Sequence, residues 1–205
     1  MTTSQTAGFL TQISPPVPYD DDLLDLLQPI LVGVLGSIDP TLVRPRWQPG
    51  DTPNLPDYTV NWVAFGISDT RHDTFVFEDH LDQGDGVDRV EETEELDVLV
   101  SCYGPTAGGY AGLLRAGLTL GQNRTYLQAL GIDLLSVGNP VTLPALLTGV
   151  WVRRVDLKVT LRRYVSRTYA VRTIVEIPKP IINNGVPAFG LDNEQYITPI
   201  IVDQP

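Results

Sequence analysis

The stretch from Val150 to Ile177 constrains the fold of this chain more than any other. Val155, Leu157, Val159 and Leu161 alternate with Arg154, Asp156, Lys158, Thr160 and Arg162. A period of two places successive side chains on opposite faces of a strand, so the segment predicts a long strand with an apolar inner face and a charged outer face. That charged face includes two arginine doublets, Arg153-Arg154 and Arg162-Arg163, followed by Arg167 and Arg172. The rest of the chain is acidic, and its formal net charge is −11. A basic strand face in such a chain asks for an acidic partner. On an open monomer face these arginines are simply solvated. In an ion-paired subunit interface, Arg153, Arg154, Arg162, Arg163 and Arg167 meet a neighbour.

The matching acidity lies between residues 78 and 97, chiefly Asp82, Asp85, Asp88, Glu91, Glu92, Glu94 and Glu95. Like charges at this density cost stability unless something offsets them. The segment therefore reads either as a solvated hairpin tip or as a negative surface, which would repel DNA or contact a neighbour's arginine strand. Its Asp82-Gln83-Gly84-Asp85-Gly86 core hints at a calcium loop, but glycines stand where an EF-type loop needs its third and fifth oxygen ligands. No metal or cofactor is expected.

Element order follows from punctuation. Residues 1–19 are polar and then proline-rich, which favours an extended arm. Asp20, Asp21 and Asp22 open a helix with an apolar stripe of Leu23, Leu24, Leu27, Leu31, Val34 and Leu35, kinked or split at Pro29 and ended by Gly36. A proline-rich connector over 40–57 allows a short strand near Val43–Trp47. Strands are predicted over Tyr58–Phe65, Thr74–Phe77 and Arg89–Tyr103, with two more over Val150–Tyr164 and Thr168–Ile177. Gly104-Pro105-Thr106 starts a helix with Thr106 as N-cap and Tyr110, Leu113, Leu114 and Leu118 buried. A helix over Gln122–Leu130, a strand over Asp133–Val137 and a turn at Gly138-Asn139-Pro140 follow. The fold class is α+β: a mostly antiparallel sheet with two or three helices packed on it. One domain spans 20–177, and residues 178–205 form an extended arm whose apolar patches either dock on a neighbour or stay disordered.

Several function classes are excluded by what the sequence lacks. His72 and His80 fall in a loop-like polar stretch without a nucleophile elbow, and no phosphate loop, dinucleotide fingerprint or metalloprotease helix occurs, so no enzyme is expected. The single cysteine, Cys102, sits in an apolar run and reads as a core residue. Net negative charge disfavours adhesion to nucleic acid or anionic membranes. The apolar stretch Leu23–Leu35 is too short to span a bilayer, and the N-terminus lacks a secretory signal, so a cytosolic protein is expected. Asn123-Arg124-Thr125 matches a glycosylation acceptor by accident in that setting.

Several phrases resemble the neck and tail terminator proteins of tailed bacteriophages. They are Asp97-Val98-Leu99-Val100-Ser101-Cys102-Tyr103-Gly104-Pro105 leading into Tyr110-Ala111, then Asn123-Arg124, then Trp151-Val152-Arg153-Arg154-Val155-Asp156-Leu157 with Arg162-Arg163 and Arg167-Thr168-Tyr169. The resemblance covers roughly residues 20–177 and implies a structural virion protein. In that picture the subunit forms a homo-hexameric ring at the top of the tail, in the neck, and is assembled in the host cytoplasm. The ring caps the tail tube, and the sheath where the tail contracts. It receives the head's connector or adaptor proteins and lets genomic DNA pass without specific binding. The rival readings are another neck component, such as a head-completion or collar protein, and an acidic cation- or partner-binding module.

Overall fold

A computed structural model of the 205-residue chain describes residues 9–47, 55–81 and 86–171. The expected C-terminal arm, together with Asp82, Asp85 and Arg172, lies outside the described residues. All described residues fall in one compact unit, Met1–Thr173. Among them no helix is long and apolar enough to cross a membrane.

The alternating segment forms a single strand, β9 (Arg154–Ala170), which pairs antiparallel along its whole length with β4 (Val87–Tyr103). The expected division of 150–177 into two long strands is replaced by a short β8 (Val150–Val152), a break at Arg153, and one 17-residue strand. Around this central pair the sheet order is β1 (Val43–Pro45), β2 (Trp62–His72), β4, β9, β5 (Ile132–Val137). A short β3 (Phe77–Leu81) extends the β2 side along β4, and β6 (Val141–Thr142) follows β5 along β9. Only β1 and β2 run parallel, while β7 (Ala145–Leu147) and β8 form a separate hairpin.

The helices cover one face of the sheet, which makes the fold α+β as expected. Helix α1 (Asp20–Leu35) buries Leu23, Leu24, Leu27, Leu31 and Leu35. It runs through Pro29 without splitting; Pro29 is on the exposed side, where water can hydrate the carbonyl it leaves unpaired. Gly36 ends it with φ of 69° and its N–H donating to the Val32 carbonyl. Helix α2 (Ala107–Thr119) buries Ala107, Ala111, Leu114 and Leu118, so Leu113 is not on the core side as expected. Thr106 makes no side-chain cap bond there. Helix α3 (Gly121–Ala129) inserts Leu127. Between helices and sheet lie Val63, Phe65, Val98, Val100, Leu157 and Val159, all nearly or fully buried. Cys102 joins this core, and burial pushes its thiol up to about 12.

The opposite sheet face has a smaller cluster. Trp62 and Tyr103 stack with ring centroids 4.1 Å apart, beside Ala64 and Val152. Gly104, which follows β4, has φ of 107°, and a Cβ there would stand 2.6 Å from the Val60 carbonyl oxygen. The turn from β4 into α2 therefore requires glycine.

Candidate assembly surface

The strand pair β4–β9 lines up acids against bases along both faces. On the face away from the helices, Glu95 is opposite Arg162, Asp97 opposite Thr160, and Ser101 opposite Asp156. Asp97, buried among them, is 2.7 Å from Arg71 Nη1 and 2.8 Å from Lys158 Nζ, and accepts from Thr160 Oγ1 at 2.9 Å. Hydrogen bonding by Arg71 is the main cause that holds its carboxyl far below the usual range, despite burial. Arg162 Nη2 donates to Glu95 at 2.8 Å, and the bonds from Arg162 and Arg71 likewise lower Glu95. Burial opposes ionisation of Asp156, yet bonds from Arg154 and Ser101 hold it below its ordinary value.

On the helix-side face, past the end of the helical layer, a second network forms. Arg163 is buried and donates from Nε to Glu94 Oε2 at 2.7 Å; Glu94 is fully buried. The Arg163 guanidinium stacks 4.4 Å over the Tyr19 ring and also donates to the Pro18 carbonyl. Tyr19 donates to Glu94 and accepts from Arg167 at 2.6 Å. Arg167 also bonds Glu92, which lowers that carboxyl. Burial, then the bond to Glu94, raises the Tyr19 phenol. Residues preceding α1 are thereby fastened to β9, and Ile13 N donates to the Thr168 carbonyl at 2.8 Å.

The arginine doublet Arg162-Arg163 is thus divided between the two faces, because consecutive strand residues point oppositely. Of the five arginines expected at an interface, Arg154, Arg162, Arg163 and Arg167 have carboxylate partners within the chain. Arg153 donates to the Pro105 carbonyl at 2.8 Å and has no carboxylate partner among the described residues. The acidic residues Glu91, Glu92, Glu94 and Glu95 lie in strand β4, and Asp88 near its start is 2.5 Å from His80 Nδ1. His72 and His80 lie on β2 and β3, not in a loop.

His72, Glu92 and Glu94 offer ligand atoms within 4.8 Å of one another, which is metal-like spacing. Arg163 and Arg167 already neutralise both carboxylates, so the cluster is an ion-pair network first. Sequence reasoning did not identify Tyr19 or Arg71 as members of these networks, whereas Asp97 closes the acidic segment it singled out. Parity along β4 places Asp97 beside Glu95 on the outer face and is a usable signal; Tyr19 lies 75 residues from Glu94 and gives none.

These carboxylates set the acid response of the fold. A carboxyl held below its unfolded value contributes stability that is present above that value and lost as pH falls through the folded one. Melting temperature is expected to fall between about pH 4.5 and about pH 2.5, the window below ordinary carboxyl values. Asp97→Asn is expected to flatten that limb in pH-dependent thermal melts. Identical slopes for the two proteins would contradict the assignment.

The ion pairs and hydrogen bonds of the two networks hold the long strands together and tie Tyr19 to them. Among curated proteins, none matches the sequence. A family model described as phage neck terminator protein matches residues 21–185, which takes in every strand described above and every helix except the first residue of α1. The chain belongs to the phage neck terminator family.

Proposed function

We propose that this chain is the ring-forming subunit that ends the tail at its junction with the head. Six copies surround a hole through which genomic DNA passes. The lower rim caps the tail tube, and the sheath where there is one, and the upper rim receives the head's connector or adaptor proteins. Assembly takes place in the host cytoplasm. The family match over 21–185 carries this reading. A net charge of −11 supports it, since a negative lumen lets phosphates slide without adhesion.

Removing the protein from an infection tests the proposal. Expected are DNA-filled heads and tails that do not join, with tails of irregular length, and rescue by supplying the protein in trans. Tails of normal length that lack only head attachment would instead indicate another neck component. Normal joined particles would overturn the proposal.

A further inference from the structure

The two edges of the large sheet differ in chemistry. On one side β5 is outermost. Beside it Arg115 Nε donates to the Gly138 carbonyl at 3.3 Å and Arg124 Nη2 to the Leu134 carbonyl at 3.4 Å. Neither arginine has a carboxylate partner among the described residues, whereas every arginine of β9 has one. Leu120, just before α3, and Leu135, on β5, are exposed next to them. Asp133, the acid on this edge, accepts from Gln128.

At the far end of the opposite side β3 is outermost, hydrogen-bonded to β4 and open on its other edge. Phe75 is 88% and Phe77 60% exposed, values that leave two aromatic rings in water. Glu78 is exposed and has no cationic partner among the described residues. An open strand edge carrying aromatic rings is a pairing hazard unless something covers it.

We propose that the β3 edge of one copy docks on the β5 edge of a second copy of this chain. Glu78 meets Arg115 and Arg124, and Phe75 and Phe77 cover Leu120 and Leu135. The chain carries both halves of the contact, an uncompensated carboxylate with aromatic rings on one edge and uncompensated guanidiniums with leucines on the other. Arginine and aromatic residues of this kind anchor interfaces. Because the two halves are different surfaces, the contact is heterologous and propagates from copy to copy, as a closed ring requires. This inference rests on the ring reading and names the surfaces that build it.

Charge reversal tests it. Wild-type chain, E78R, R124E and the double variant E78R/R124E are compared by sedimentation velocity, with circular dichroism confirming that each is folded. Both sites are exposed, so the fold is expected to persist. Each single variant is expected to associate at least about tenfold more weakly, since like charges then face each other, and the double variant to recover. A one-to-one mixture of the single variants is expected to associate through its intact complementary edges. Phe75→Ser, an uncharged change on the same edge, is expected to weaken association as well. Wild-type assembly with both single variants unaffected, or a double variant as weak as the singles, overturns this contact and leaves the ring reading standing. A wild-type chain that stays monomeric up to about 100 µM, far above the Kd of a stable interface, overturns both.

Discussion

Glu94→Ala is expected to lower the unfolding free energy by about 3–5 kcal/mol, because it leaves the buried Arg163 guanidinium without its carboxylate. The same substitution removes the acceptor of the Tyr19 hydroxyl and so loosens the residues that lead into α1. Urea denaturation followed by circular dichroism measures the loss. Pairing Glu94→Leu with Arg163→Met is expected to recover most of it, since a buried ion pair replaced by apolar groups of similar size is often neutral. A double variant no more stable than Glu94→Ala would contradict the view that the penalty comes from the orphaned charge.

Phe65→Ala is expected to cost about 3–5 kcal/mol for a different reason. Phe65 is fully buried on β2 and belongs to the cluster between sheet and helices. Truncation removes apolar contact and leaves a cavity that the rigid strand cannot close. Phe65→Leu, which keeps most of the volume, is expected to cost much less. The urea midpoint should shift without a change in slope. A Phe65→Ala loss below about 1 kcal/mol would show that the site collapses around the gap or that Phe65 is less central than its burial indicates.

The fold was legible where local pattern and tertiary environment agree. Period-two alternation located β9 and the later part of β4, and leucine spacing located α1. Tyr58-Thr59-Val60 misled, because three residues with high strand propensity form a turn instead. The Asp57 side chain accepts both the Thr59 N–H, at 2.8 Å, and the Thr59 hydroxyl, which diverts the backbone before β2 begins. Conversely, β2 runs on through Asp69, Thr70, Arg71 and His72, residues that look like a loop in isolation. They stay in the sheet because β4 supplies partners: Arg71 lies opposite Glu95, and His72 opposite Glu94. That information is non-local and no window of sequence contains it.

The ion-pair networks show the same limit. The basic and acidic sets were visible in the sequence, and their complementarity suggested that they meet. What spacing could not decide was whether they meet within one chain or between two. The β4–β9 register places Glu95 opposite Arg162 and Glu94 opposite Arg163, so much of that attraction is spent inside the subunit. Charges without an oppositely charged partner among the described residues include Arg153, Arg115, Arg124 and Glu78, and of these Arg115 and Arg124 do not stand out by sequence pattern. Arg115 and Arg124 lie on ordinary helix surfaces, and only the position of β5 beside them turns them into an edge.

An image of the intact particle at a resolution that traces helices and strands tests the central claim most directly. The account predicts a six-fold ring of this chain between head connector and tail tube, with the β4–β9 sheet recognisable in each subunit and DNA passing through the hole. Finding the chain in the baseplate, or absent from the particle, would contradict it.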